Sequence, residues 1–149
     1  MKFSTAALVV AASAVVSGAA IQKRSVVYQV SDFSAACIPH STQCLYEFGV
    51  FQPGTMQTDP IPCQAMVSAN IDGTLPDVMY GACEQSSRTF NVVRDAEGLG
   101  FLVQAPVSPR SNTTGVYHIP NSDLVMSDRP NAVVQSYAGP KAFDLDFLV

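Results

Sequence analysis

The chain is short and acidic. It has 149 residues, with 8 basic and 12 acidic side chains and a formal net charge of −4. This length is enough for one domain. An acidic chain without a basic cluster has no surface that would displace counterions from nucleic acid or attract anionic lipid. We therefore expect neither nucleic acid nor an anionic membrane as a partner.

Residues 1–20 have the three-part layout of a secretory signal peptide. Lys2 precedes an uncharged apolar run, Leu8–Val16, and the segment ends in small residues, Ser17–Ala20. The run is much shorter than the ~20 residues needed to cross a bilayer. We expect export from the cell and no membrane span, the alternative being that residues 3–21 form a buried helix of the mature fold.

A dibasic pair, Lys23 and Arg24, follows directly. A late-secretory protease would cut after such a pair, so we interpret residues 21–24 as a short pro-segment. The alternative is that the two charges are simply solvated at the chain terminus. Cleavage would leave one domain of 125 residues, 25–149, with five basic and twelve acidic side chains and a net charge of −7.

Four cysteines fall in this mature part: Cys37, Cys44, Cys63 and Cys83. An even number in a secreted domain predicts two disulfides, for which three connectivities are available. Proximity along the chain favours Cys37–Cys44 and Cys63–Cys83, because short loops close easily.

Metal binding is the alternative use of these residues. The cysteines lack the paired spacing of zinc ligands, and the two histidines, His40 and His118, are distant from them in sequence. The dipeptide Asp72-Gly73 is typical of a turn in which glycine supplies a positive φ, and it lacks the clustered acids of a calcium loop. We expect no metal and no cofactor.

The apolar residues mostly alternate with polar ones, as in half-buried strands. Alternation is clearest in Cys44–Val50, Cys63–Ala69 and Phe143–Phe147. Further strands are predicted at Val26–Val30, Asp77–Ala82, Arg88–Arg94, Gly100–Gln104, Gly115–Ile119, Asp123–Met126 and Ala132–Tyr137. No stretch has helical spacing over ten residues. The pattern predicts an all-β fold, an antiparallel barrel or sandwich of about 8–10 short strands, since such chains hide their strand edges.

One polar stretch, Pro106–Thr114, is predicted to be an exposed loop. It contains Asn112-Thr113-Thr114, an N-glycosylation acceptor at Asn112. Together with Ile38–Gln43, which contains Pro39, it is a candidate recognition loop, because loops on a rigid β scaffold carry variable chemistry.

No residue set favours catalysis. A Ser-His-Asp hydrolase needs a histidine held against a nucleophile, whereas we interpret His40 as an exposed loop residue and His118 as a cross-strand hydrogen-bonding residue. Glycosidases need two carboxylates, and Asp144 and Asp146 share a strand face that the alternation places in solvent. The chain has no Trp, and its tyrosines fall mostly on strands where packing explains them. We expect a protein that is not an enzyme.

Five segments occur in an order that is typical of a known family: Tyr28–Phe33, Leu45–Val50, Tyr80–Cys83, Phe90–Val92 and Gly98–Val103. Over roughly residues 26–104 the chain thereby resembles the Alternaria major-allergen family of small secreted fungal β-barrel proteins. Residues 32–44 are more similar to a subgroup of short fungal secreted effector candidates than to the allergen itself.

This resemblance implies a fungal protein that acts outside the cell on a host plant, some family members being elicitors of hypersensitive cell death. Two departures concern cysteines, since none follows Cys83 and none lies near the mature N-terminus. A covalent dimer is therefore not implied, and we expect a monomer or a non-covalent dimer.

Three functions remain open at this point. The first is a secreted effector or elicitor that acts through its surface on a host plant protein. The second is an extracellular carrier that holds a small ligand in the barrel mouth or interior. The third is a cryptic hydrolase.

Overall fold

The described part of the chain is built from β-strands. The computed structural model describes residues 25–127 and 133–148, so the predicted signal peptide, pro-segment and processing residues lie outside it, as does Ala132. The strands are β1 (Val26–Cys37), β2 (Gln43–Phe51), β3 (Ile61–Ser68), β4 (Val78–Cys83), β5 (Thr89–Arg94), β6 (Gly98–Ser108), β7 (Ser111–Pro120), β8 (Leu124–Met126), β9 (Gln135–Tyr137) and β10 (Phe143–Phe147), with a 3-10 turn at Asn121–Asp123. In this part of the chain no helix is both long and apolar enough to cross a membrane.

Eight strands close into an antiparallel barrel. Strands β1 to β6 each pair with the next along the chain, and β10 pairs with both β7 and β1. The short β9 extends the barrel wall beside the second half of β1 through Ala36↔Ser136, and β8 pairs with β9. The prediction of an all-β fold is confirmed, and of barrel and sandwich it is the barrel that forms. Closure leaves no long unpaired edge around the eight strands.

The alternation in the sequence accounts for the barrel's inner and outer faces. In β2, Cys44, Tyr46, Phe48 and Val50 are buried, whereas Glu47 is exposed. Successive side chains of a strand point to opposite faces, so every second residue enters the core. The predicted strands beginning at Cys44, Cys63 and Phe143 are confirmed for this reason.

Strand β1 continues well beyond its predicted end at Val30. Its pairing with β2 shifts between Ser31 and Ser34, where Asp32 has a positive φ of 51°. This bulge inserts an extra residue, after which Phe33 and the following alternate residues again point inward. The polar residues at the bulge interrupt the alternation, which is why the sequence pattern ends the strand too early.

Phenylalanine rings fill the middle of the barrel. Ring centroids of neighbouring pairs lie 4.8 to 6.3 Å apart, mostly in edge-to-face arrangements. The rings belong to Phe33, Phe48, Phe90, Phe101 and Phe143. These side chains come from five of the eight barrel strands, so the aromatic core packs against most of the wall.

At one end of the barrel, the connection between β3 and β4 folds inward as a plug. Leu75 is fully buried, and the Tyr46 hydroxyl donates to the Pro76 carbonyl at 2.8 Å. The Gln135 side-chain oxygen accepts hydrogen bonds from the Leu75 N–H at 3.0 Å and from the Arg94 guanidinium at 2.6 Å. Arg94 also donates to the Leu75 carbonyl at 2.9 Å, so it joins the plug to β5 and β9.

The opposite end is closed by Arg88. Its guanidinium donates to the side-chain oxygens of Gln57 and Gln52 at 3.1 and 3.0 Å, and it lies 5.5 Å from the centre of the Tyr28 ring. These contacts hold the β2–β3 connection against the barrel.

The expectation of a loop over Pro106–Thr114 is wrong. This stretch belongs to a hairpin, with Pro106 paired to Asn112 and Ser108 to Ser111. The hairpin extends past the body of the barrel, where most of its residues are exposed. Because both faces are solvated there, the sequence lacks the apolar alternation that indicates a strand.

Candidate functional site

The cysteines form the two predicted disulfides, Cys37–Cys44 and Cys63–Cys83. Each links residues that lie directly opposite each other, the first across β1 and β2 and the second across β3 and β4. All four side chains are buried. Because all four cysteine sulfur atoms are in disulfides, no thiolate is available to bind zinc, and disulfides of this kind are typical of extracellular proteins.

His40 lies where the sequence places it, in the exposed turn between β1 and β2. Its backbone has a positive φ of 62°. The disulfide that joins the two flanking strands holds this turn, which includes the predicted recognition segment Ile38–Gln43.

His118 is exposed on β7, and its Nε2 atom lies 3.3 Å from the Asp95 carboxylate. Asp95 follows β5 in the turn to β6, so the contact joins β7 to that turn rather than to the facing strand residue, Gly100. The backbone N–H of Glu97 donates to Asp95 at 2.8 Å and, with His118, lowers the pKa of the Asp95 carboxyl. His118 therefore stabilises the turn between β5 and β6.

Asp144 and Asp146 lie on the outer face of β10, with Leu145 buried between them. Asp144 borders a groove of about 560 Å³. A neighbouring groove of about 470 Å³ shares its wall at Ser31 and Pro60. Carboxylates from other elements line this second groove: Asp32, Glu47 and Glu84. The outer wall in this region is therefore acidic.

Asp72 and Gly73 form the predicted turn. Gly73 has a φ of 80°, and the Asp72 carboxylate accepts hydrogen bonds from the Thr74 hydroxyl at 2.6 Å and from its N–H at 3.1 Å. These bonds lower the pKa of Asp72. The turn leads directly into the Leu75 plug and thus has a structural role.

Asn112 is exposed near the tip of the β6–β7 hairpin. The side chain is accessible to a glycosyltransferase at that position. Glycosylation of Asn112 stays a prediction.

The structure has an apolar surface on the outside of β3 and β4 that the sequence does not predict. Met66, Met79 and Tyr80 are 55%, 60% and 69% exposed. β3 pairs with β4 at Cys63↔Cys83 and Gln64↔Ala82, and counting on from these pairs places Met66 opposite Tyr80, two residues beyond the last pair. We call these three residues the β3–β4 patch.

The backbone of Tyr80 explains why the sequence pattern misses this patch. The pairing of β4 with β5 shifts between Val78 and Gly81, and Tyr80 has a positive φ of 56°. Tyr28 and Tyr46 are buried as expected for strand tyrosines, whereas at the β4 bulge the two consecutive residues Met79 and Tyr80 are both exposed. The only signal in the sequence is the run Met79-Tyr80-Gly81, which breaks the alternation.

A second apolar feature lies on the outside of β5, β6 and β7. It is a shallow groove of about 400 Å³. Its apolar lining includes Val93, Leu102, Val116 and Leu148. Asn91 and His118 add polar groups at its border.

Comparison with known proteins adds no assignment, because no protein-family model and no curated protein matches the chain. The resemblance to the Alternaria major-allergen family stays a hypothesis that depends on the segments quoted above.

Proposed function

We propose that this protein is a secreted effector or elicitor that acts without catalysis, through its outer surface, on a protein of a host plant. The plant context comes from the resemblance to the allergen family. The exposed β3–β4 patch is the observation that carries the proposal.

The packing of the barrel supports an action at the outer surface. Phenylalanine rings occupy its interior, while the Leu75 plug and Arg88 close its two ends. A carrier that holds its ligand inside the barrel would need an empty interior, which the aromatic rings fill here. Binding chemistry is therefore better placed on the outside of the wall.

The patch itself has the composition of a protein-binding surface. Tyr is among the residues that most often dominate binding energy, and Met adapts its shape to different partners. Neighbouring exposed apolar side chains on a soluble protein commonly mark such interfaces. The three residues project from strands that the Cys63–Cys83 disulfide joins, so the scaffold beneath them is rigid.

Leaf infiltration tests the proposal. Purified residues 25–149 should cause local cell death, and the same protein after reduction, alkylation and heating should not, because unfolding destroys the surface. Near-UV circular dichroism would confirm which samples are folded. Equal activity of the unfolded sample, or inactivity of the folded one, would contradict the proposal.

The groove on β5, β6 and β7 favours a second candidate function, the binding of a small apolar ligand. Its lining is mostly apolar, as expected for a site that holds an apolar ligand. Mass spectrometry of an organic extract of the purified native protein tests this function. A bound compound that is lost in the variant Leu102→Glu would support it, and an empty extract would argue against it.

A further inference from the structure

Tyr80 has a backbone conformation that is unfavourable for its side chain. A positive φ is rare for bulky residues, and such outliers concentrate at functional sites. The carboxamide oxygen of Asn91 accepts a hydrogen bond from the Tyr80 N–H at 2.8 Å. Asn91 thus satisfies the backbone donor of Tyr80 at the bulge.

The positive φ occurs at Tyr80 and not at the neighbouring Gly81. A Cβ atom on Gly81 would collide with the Phe90 ring, so glycine is required at position 81 for packing. At position 80 the backbone would favour glycine, yet the chain has a tyrosine there whose side chain is 69% exposed. Core packing therefore does not account for the tyrosine.

The charges around the patch indicate the chemistry of its partner. The exposed carboxylates Asp77 and Glu84 lie at the two ends of β4. The described residues include four basic side chains and eleven carboxylates. Of the basic side chains, Arg88 and Arg94 already donate hydrogen bonds at the two ends of the barrel. A second copy of the chain would bring acidic surfaces together, whereas a basic protein would be attracted.

We propose that Tyr80 is the anchor of a protein-binding surface formed with Met66 and Met79, and that its partner is a protein with an apolar pocket bordered by basic side chains. This inference rests on the proposed function and names the partner's chemistry. The Tyr80 ring enters the pocket, the two methionines cover its rim, and the flanking carboxylates face the basic groups.

The variant Tyr80→Gly separates binding from folding. It removes the ring and the unfavourable positive φ, and this relief offsets the greater freedom of glycine in the unfolded chain, so its melting temperature should stay close to that of the wild type. The matched control is Gln85→Gly. Gln85 also has a positive φ, of 47°, and is exposed, but it lies outside the patch.

The probe is the extracellular fluid of leaves, separated by cation exchange into basic and acidic protein fractions. Interferometry with immobilised wild type, Tyr80→Gly and Gln85→Gly measures binding to each fraction at low and high salt. We expect wild type and Gln85→Gly to bind the basic fraction about tenfold or more strongly than Tyr80→Gly does, with binding that weakens as salt rises.

A second pair of variants keeps the test decisive if Tyr80→Gly does not fold. Met66→Lys places a positive charge within the patch and should reduce binding to the basic fraction. Met56→Lys adds the same charge at a fully exposed position in the β2–β3 connection and should not.

Three results would overturn the inference. The first is unchanged binding by the patch variants, and the second is the lack of preferential binding to the basic fraction. The third is a wild-type dimer that Tyr80→Gly dissociates, which would make the patch a contact between copies of this chain. The proposed function fails independently if folded protein binds as expected but causes no cell death.

Discussion

At the scale of single residues, buried polar groups depend on specific partners. The Tyr46 side chain is fully buried, and its hydroxyl donates to the Pro76 carbonyl in the plug. The alternation of β2 predicts that Tyr46 points inward. It does not predict the partner, because the Pro76 carbonyl comes from a connection thirty residues away.

The variant Tyr46→Phe should be folded but less stable. It keeps the ring and leaves the buried Pro76 carbonyl without its donor, which should lower the free energy of unfolding by about 1–2 kcal/mol. Denaturant unfolding at neutral pH measures this change. Tyr80→Phe is the control, since an exposed hydroxyl should contribute little, and equal losses in both variants would contradict the account.

Tyrosine burial also predicts a loss of stability in alkali. Burial raises the pKa of Tyr46 above its ordinary value, and it raises the pKa of Tyr137 to about 12. The folded state thus favours the neutral form of these tyrosines. Their contribution to the free energy of unfolding is complete below about pH 10 and is lost as pH rises through the folded-state pKa. Thermal melts from pH 8 upward should show the decline beginning near pH 10, more shallowly in Tyr46→Phe. An unchanged slope would contradict it.

At the scale of strands and connections, prediction succeeds where one face is buried and the other is solvated. Strand β2 has this environment, and its alternation is direct. Prediction fails at the β1 bulge and in the outer part of the β6–β7 hairpin, where burial no longer alternates regularly. Neither the plug nor its arginine is visible in sequence, because both depend on closure of the barrel.

The plug depends on the hydrogen bonds of one arginine, Arg94. Arg94→Ala should lower the free energy of unfolding by about 2–3 kcal/mol, because the Leu75 carbonyl and the Gln135 side chain lose a charged donor in a partly buried site. Chemical denaturation gives the value. Arg110→Ala, at the exposed hairpin tip, is the control and should have little effect; a similar cost in both would argue against the plug.

The two strand-linking disulfides should differ in their contribution. The chain-entropy model gives roughly 3.3 kcal/mol for Cys63–Cys83 and roughly 2.5 kcal/mol for Cys37–Cys44, because the first closes the longer loop. Replacing each pair with serine and comparing melting temperatures tests the order. Greater loss for the Cys37 and Cys44 variant would contradict it.

At the scale of the whole molecule, sequence determines the class of fold better than the site. Regular alternation and turn residues indicate a closed or two-layered β fold, and the short loops predict the disulfides. The β3–β4 patch is not predictable in the same way, since it depends on a bulge that leaves the consecutive residues Met79 and Tyr80 both exposed. A strand tyrosine is ordinarily interpreted as part of the core.

The central claim is that cell death depends on the folded outer surface of the protein and not on any single acid or base that transfers a proton. The most direct measurement is the protein dose that causes half-maximal leaf cell death, determined for folded variants of the histidines and of the β10 aspartates. The variants are His40→Ala, His118→Ala, Asp144→Asn and Asp146→Asn. Each should remain within about twofold of the wild type, because none is required as an acid or base. A loss of about a hundredfold or more in one variant, at unchanged melting temperature, would contradict the claim and favour a hydrolase.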